Sequence, residues 1–470
     1  MKLLLVNCLN LDEGLRYLEN SGEHLGILYL ISSLRQHFSD KELQMKVSYS
    51  LSDSIINEFK PDIVGLSTVS QNYYVAQRYA QLCKDYGAAV IIGGVHISTL
   101  PHTLTKQMNV GVINEGEETV VELMKVFMEK HCFPKDKLAQ IKGIVFYDED
   151  NIVKTQPREK IKTLDTLPIP AREFYYHPKR GIFTSRGCPY DCVFCFSKPF
   201  WGKPRFFSAE YVIKEVIEVV EKFNVSKIAF YDDLFIANIS RFKKIVQYVR
   251  DAGLHKKVAF SCDVRPNLVT DEVASLLKSM NVTNVFMGIE SGNQRILKYL
   301  KKQACSVEQN YNAIKILRKN SIITNGGFII GSPDETKEEI LDTFRFIRKS
   351  RIDFFTPLML TPLPGTPVWE RAKERGLVSD HMDWNILREE FNEIADRHII
   401  LSEILSREEL YCLYKKFKRE QKRKLFLLVI KHPLAATQSI IRLIKQQLHY
   451  IKLLFSRTKL MSRWISDRQL

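Results

Sequence analysis

Three cysteines, Cys188, Cys192 and Cys195, fall within the row Thr184-Ser-Arg-Gly-Cys188-Pro-Tyr-Asp-Cys192-Val-Phe-Cys195. Thiolates this close along the chain can wrap one metal centre, and soft sulfur ligands suit iron–sulfur or zinc. A cubane has four irons, so three cysteines leave one iron without a protein ligand. That iron can take a substrate or cofactor directly, much as catalytic zinc keeps an open position. A zinc site would need a fourth Cys or His nearby, and between Cys195 and Cys262 only the distant His255 qualifies. Chance clustering is the remaining alternative. The other six of the nine cysteines are scattered singly. That is a poor disulfide framework and suits a reduced, cytoplasmic chain with one cysteine-ligated site.

The elements that must position these thiols form a β/α series beginning near Gly181. Apolar, β-rich runs predict strands over Ile182–Ser185, Lys227–Tyr231, Val258–Cys262, Asn284–Gly288, Thr324–Ile330 and Phe354–Leu360. Helical patterns fill the gaps, among them Ala209–Phe223, Arg241–Ala252 and Lys337–Lys349. Six such units predict an incomplete relative of the β/α barrel, whose chemistry sits at the C-terminal strand ends. Polar or Gly/Pro motifs stand at five of those ends: Tyr231-Asp-Asp233, Arg265, Gly288-Ile-Glu-Ser-Gly292, Gly331-Ser-Pro-Asp-Glu-Thr336 and Thr361-Pro-Leu-Pro-Gly-Thr366. Each alone reads equally well as a turn or cap, and Asp334 would cap the next helix.

Ahead of the barrel, strands are predicted at Lys2–Asn7, Val47–Ser50, Ile63–Ser67, Ala89–Gly93 and Val110–Asn114, with helices such as Leu25–Gln36 and Val75–Tyr86 between them. Strands alternating with helices imply a doubly wound parallel sheet. Lys142–Thr155 reads as a hairpin and Leu164–Arg172 as a linker. The expected organisation is a Rossmann-like domain over 1–140, hairpin and linker over 141–179, the barrel over 180–400 and a helical basic tail over 401–470.

With its cysteine spacing and strand-end motifs, Gly187–Thr366 resembles the core of radical S-adenosylmethionine (SAM) enzymes, in the class with an N-terminal cobalamin-binding-type domain. The resemblance implies an α/β chain in which a partial (β/α)6 radical SAM barrel follows that domain. It also implies a [4Fe–4S] cluster on Cys188, Cys192 and Cys195, whose open iron chelates SAM. Phe194 would lie against the adenine, while Asp233, Arg265 and Glu290 would line the SAM and substrate cavity. Reductive SAM cleavage to a 5′-deoxyadenosyl radical, hydrogen abstraction from an unactivated carbon, and an outcome of methylation, cyclisation or C–C bond formation are the expected chemistry. A small-molecule substrate and a reductant such as flavodoxin or ferredoxin are the implied partners. The rival from another class is a non-catalytic iron–sulfur carrier or scaffold, which would need a fourth cluster ligand and no SAM pocket.

Ser67 and Thr68, Gly93 and Gly94, and Glu115-Gly116-Glu117 resemble three strand-end loops of cobalamin-binding domains. Glycine there lets backbone approach a flat ligand, although Gly-Gly after a buried strand is also an ordinary turn. The Asp-x-His-x-x-Gly signature that supplies an imidazole to cobalt is missing. Asn7–Gly14 holds no histidine, His24-Leu-Gly26 lacks the spacing, and His96 belongs to another loop and reads as structural. Bound cobalamin and an empty or substrate-binding domain both stay open, and any cobalamin is expected without the usual histidine.

The net charge is +15, yet Tyr411–Leu470 alone holds 15 Lys and Arg against two acids. Basic character therefore belongs to the tail, and a nucleic-acid-binding body is not indicated. Lys415–Arg419 and Lys422–Lys424 precede the apolar stretch Leu425–Ile430, and Gln438–Phe455 carries Ile440, Ile444, Leu448, Ile451 and Phe455 at helical spacing. Such a helix fits either an anionic membrane surface or a docked position on the barrel. No stretch reaches the ~18 apolar residues of a membrane span, and Met1–Val6 reads as a buried strand and not a leader. A cytoplasmic chain, with peripheral membrane contact through the tail, is the expectation.

Overall fold

The computed structural model describes residues 1–9, 23–174, 180–302, 305–391 and 397–431. Seven strands form the first sheet: β1 (Lys2–Asn7), β2 (Gln44–Ser48), β3 (Ile63–Ser67), β4 (Ala89–Gly93), β5 (Val110–Val112), β6 (Ile144–Asp148) and β7 (Asn151–Lys154), in the order β2-β1-β3-β4-β5-β6-β7. The first five pair in parallel, whereas β6 runs antiparallel to β5 and closes a hairpin with β7. The hairpin thus extends this sheet. Leu4, Val6, Val64 and Ile92 bury one face under the helix Tyr73–Asp85, and Leu3, Leu5, Ile63 and Ile91 bury the other under Leu25–Arg35 and Glu117–Lys130. Strands covered on both faces need the unbroken apolar runs seen in the sequence. Asn7 stands beside Ser67, and Ser67 beside Gly93, so the carboxyl ends of β1, β3 and β4 make one level row. The order reverses between β1 and β3, where ligands of such sheets bind.

The second sheet contains β8 (Arg180–Ile182), and after the short antiparallel pair β9 (Ser185–Arg186) and β10 (Arg205–Phe206) come β11 (Lys227–Phe230), β12 (Ala259–Val264), β13 (Val282–Glu290), β14 (Ile323–Ile330) and β15 (Phe354–Met359). Its order is β15-β14-β13-β12-β11-β8, all parallel, and β8 does not pair with β15. This is the expected incomplete ring of six. Alternation along β12 sends Phe260, Cys262 and Val264 into the outer core and leaves Ser261 and Asp263 facing the lumen.

An open ring has two bare edges. At β15 the C-terminal helix Arg407–Lys431 lies against the edge: Tyr414 Oη donates to Pro357 O (3.2 Å), Gln421 Nε2 to Phe355 O (2.8 Å) and Lys424 Nζ to Ile352 O (2.7 Å). At β8, Gly181 N donates to Glu23 Oε2 (3.2 Å) and Arg172 Nη2 donates to Gly181 O (2.7 Å). Buried Arg172 also pairs with Glu215 (2.5 Å) and Glu23 (3.2 Å), and Arg180 pairs with Glu23. Glu23 comes from the first domain, so these ion pairs fasten it to the barrel's opening strand.

The basic segment begins as part of the barrel. Leu410, Leu413, Tyr414 and Phe417 are buried, Lys415, Lys416, Arg419 and Lys422 point outward, and the last turns expose Leu425, Phe426 and Ile430. The amphipathic stretch Gln438–Phe455 lies outside the described residues, as do residues 10–14 of the first loop. Among the described residues no helix is long and apolar enough to cross a membrane. Thr336, and not Asp334, caps the helix Lys337–Lys349 through a capping box with Glu339. Asp334 instead pairs with Arg295 at 2.6 Å.

Candidate functional site

The cysteine row leaves β8 and is shaped by two neighbouring carboxylates at the end of β11. Asp232 Oδ1 accepts from Thr184 N (2.7 Å) and Ser185 N (2.6 Å), which fixes the chain just before the turn. Gly187, at φ +92°, makes the turn, and a Cβ there would sit 3.0 Å from Trp201. Asp233 Oδ2 then accepts from Ser197 Oγ (2.7 Å), tying the far end of the row to the same strand end. Burial holds the Asp233 carboxyl above its ordinary range.

The sulfurs receive hydrogen bonds inside this frame. Ser197 N donates to Cys195 Sγ at 3.4 Å, and Arg265 Nη1 donates to Cys192 Sγ at 3.4 Å. Donors aimed at sulfur suit an iron–sulfur centre, whose charge they stabilise. Among the described residues no three His, Cys, Asp or Glu side chains converge on one metal ion. Burial pushes the Cys195 thiol up to about 12 and raises Cys188 as well, so loading such a centre releases protons.

Arg265 lies just past β12, with its guanidinium 3.7 Å over the Tyr190 ring and Nε donating to Asn267 Oδ1 at 3.1 Å. Its Nη2 is buried without a partner, a donor left over for an anionic group. Glu290 follows a β-bulge in β13 and adopts φ +64°. Bulges re-aim side chains next to functional sites, and a non-glycine residue at positive φ is uncommon enough to mark one. Burial raises the Glu290 carboxyl, against the opposing charges of Lys301 (3.6 Å) and Arg265. Phe194 is half-buried and packs against the apolar cluster that includes Leu4, Val6, Ile296 and Leu300. Asp263 was not singled out by sequence. It stands on the lumen side of β12, where burial and then the charges of Asp232 and Asp233 lift it to about 7; alternation along β12 was the signal available.

A cavity of about 660 Å³, in the range of cofactor sites, opens between the strand ends of the first sheet and the barrel. Ser67, Thr68, Gly93, Gly94, Glu115, Gly116 and Glu117 all line it, and Phe183, Arg186, Phe200 and Trp201 close it from the barrel side. Gly94, at φ +100°, is required by close approach: a Cβ there would meet Thr68 O at 2.4 Å. The cavity continues inward between Leu3, Leu5 and Ile91 of the sheet and Leu30, Leu34 and Met124 of the helices. A flat group on the strand ends with an appendage in this apolar channel fits the space, so the residues suit a corrinoid. Glu115 and Glu117 are held otherwise. Glu115 pairs with Arg205 (2.8 Å) and Arg186, and Glu117 pairs with Arg186 (2.5 Å), all across the domain junction. His96 is fully buried, with Nδ1 3.1 Å from Ser70 Oγ and Nε2 3.0 Å from Thr103 Oγ1. It is structural, as its place in the sequence suggested.

The chain matches the radical SAM superfamily over residues 182–347 and the B12 binding domain over residues 15–124. An uncharacterised methyltransferase of Pyrococcus horikoshii is 31% identical over 82% of this chain and 85% of its own length. An anaerobic magnesium-protoporphyrin IX monomethyl ester cyclase of Cereibacter sphaeroides is 27% identical over 77% of this chain, which spans 62% of that protein. Among solved structures, the cobalamin-dependent SAM radical enzyme OxsB, with aqua-cobalamin and SAM bound, shares the fold at a TM-score of 0.67 and 18% identity, covering 95% of this chain and 75% of that one. The chain therefore belongs to the radical SAM superfamily, in the class whose barrel is preceded by a B12-binding domain.

Proposed function

We propose that this enzyme abstracts hydrogen from an unactivated carbon of a small hydrophobic substrate, with methylation or ring closure as the outcome. The observation that carries the reading is the placement of the cysteine row, Arg265 and Glu290 around one barrel mouth, next to the cavity of the first domain. A [4Fe–4S] cluster bound here would supply the electron for cleaving SAM into methionine and a 5′-deoxyadenosyl radical. Cys188, Cys192 and Cys195 hold it, and Arg265 stabilises its charge through Cys192. The unpartnered Arg265 Nη2 is available to the SAM carboxylate. Glu290 and Asp233 line the pocket, and Phe194 supplies an apolar surface for the adenine. Holding and shielding the radical is the protein's main task in such chemistry.

Ser67, Thr68, Gly93, Gly94 and Gly116 cradle a corrinoid in the cavity, while Glu115 and Glu117 keep the two domains in register around it. Bound cobalamin would supply a methyl carrier. A flavodoxin or ferredoxin delivers the electron, and the exposed apolar end of the C-terminal helix brings the barrel to a membrane surface where a lipid-like substrate is available.

The decisive experiment is anaerobic cluster reconstitution followed by SAM turnover under reduction, read by mass spectrometry. 5′-Deoxyadenosine should appear. An intact cluster that yields none would favour an electron carrier. Purification with excess hydroxocobalamin should leave a protein-bound corrinoid spectrum, and an empty spectrum would make the first domain a substrate-binding or vestigial module.

A further inference from the structure

One histidine lines the cavity between the domains. His24 lies at the start of the helix Leu25–Arg35, and it shares the cavity wall with Asn7 and Cys8 after β1, Ser67 and Thr68 after β3, and Gly93 and Gly94 after β4. Its Nδ1 is buried with no hydrogen-bond partner. A buried ring nitrogen without a partner is costly unless something else engages it. The following Gly26 leaves the ring room, since even a Cβ at that position would come no nearer than 3.9 Å to its Cε1 and Nδ1.

Among the described residues of the wall, Tyr29 Oη is likewise buried without a partner, whereas several other polar groups are committed. Glu115 and Glu117 are committed to Arg186 and Arg205. Thr68 Oγ1 donates to Val69 O at 2.9 Å. Cys8 is buried in the core on the far face of the sheet. The apolar channel behind the strand ends offers a place for the aromatic base that hangs from a cobalamin. With the base held there, a ligand to the metal would have to come from the protein. Neutral imidazole is the commonest protein ligand of metals of this hardness.

We infer that His24 provides the protein's nitrogen ligand to the cobalt of a corrinoid in this cavity, from a position that the Asp-x-His-x-x-Gly spacing does not reach. The inference rests on the corrinoid reading of the first domain. The test uses the full chain loaded with cob(II)alamin, prepared by reducing hydroxocobalamin, and reads its electron paramagnetic resonance spectrum. Nitrogen coordination splits the cobalt lines into triplets. In protein grown on nitrogen-15 histidine these should become doublets, and in His24→Ala they should vanish while corrinoid stays bound. Lines without nitrogen splitting, triplets indifferent to the label, or label-sensitive splitting that survives His24→Ala would each overturn the inference and leave the corrinoid reading standing. A wild-type chain that retains no corrinoid would instead sink the reading beneath it. If His24→Ala loses corrinoid, His24→Gln keeps the bulk of the ring. A folded His24→Gln chain that binds corrinoid and still shows the triplet counts against His24. One whose triplet is gone, or that binds no corrinoid despite a normal urea midpoint, counts for it.

Discussion

Arg265 donates a hydrogen bond to the sulfur of Cys192, reaching it from a different barrel strand at 3.4 Å. A hydrogen bond from a charged donor contributes about 1.5–3 kcal/mol, and a cation beside a cluster raises its potential. Arg265→Met should therefore keep the cluster absorbance, lower the midpoint potential and slow SAM cleavage by roughly ten- to a hundredfold. Unchanged potential and rate would reduce Arg265 to a packing role over Tyr190.

Cys192→Ala removes one of three proposed protein ligands. Two thiolates should not hold a cubane stably, so both the cluster absorbance after reconstitution and 5′-deoxyadenosine formation should be lost. Full activity in this variant would refute the ligand assignment.

Stability at the domain junction should depend on acid through Glu115. Burial on its own would lift this carboxyl, but Arg205 and Arg186 outweigh burial and hold it below the ordinary 4.5. A depressed folded pKa means the stabilisation is complete above about 4.5 and drains away as pH falls through the folded value. Glu115→Gln, which leaves Arg186 with Glu117 alone and Arg205 with the Ile161 carbonyl, should cost about 1.5–3 kcal/mol at neutral pH. Urea midpoints across pH 3 to 7 should show an acid-dependent loss in the wild type that the variant lacks. Parallel curves would place the acid sensitivity elsewhere.

For the membrane reading, the informative truncation ends at Lys424, because Tyr414, Gln421 and Lys424 all bond to the β15 edge. The full chain should co-sediment with anionic vesicles at low salt, at about 1 kcal/mol per basic residue near the surface, and the shortened chain should not. Salt should weaken the binding without abolishing it, since apolar insertion is not screened. If both chains stay in the supernatant, the lipid-substrate idea loses its support.

Much of the fold was legible because its signals are local. β1, β3 and β4 begin and end where their apolar runs do, and the helices Ala209–Phe223 and Lys337–Lys349 match their predicted bounds. The cysteine spacing is likewise a short-range pattern. What sequence could not supply is pairing between distant residues. Arg186 and Glu115 lie 71 positions apart and Arg180 and Glu23 157 apart, with no periodicity to link them. For that reason the loop Glu115-Gly116-Glu117 gives no sign in the sequence that its two carboxylates, besides lining the cavity, join the domains. Glu290 falls in a strand-end motif of the sequence, but the bulge that turns it is a backbone event with no residue signature. The spacing around His24 gives no sign of the cavity it lines, which depends on how the domains meet.

The guarded edge at β15 sets a condition on synthesis. The side chains that cover it follow their carbonyl partners by 57, 66 and 72 residues. At ~5–20 residues per second, that interval lasts roughly 3 to 14 seconds on the ribosome. During it, a finished parallel sheet presents an unpaired strand to its neighbours on the same message. Such an edge is a template for strand pairing between nascent chains. The yield of soluble enzyme should therefore depend on translation speed across residues 360–424 and on holdase chaperones, even in variants whose finished fold is as stable as the parent.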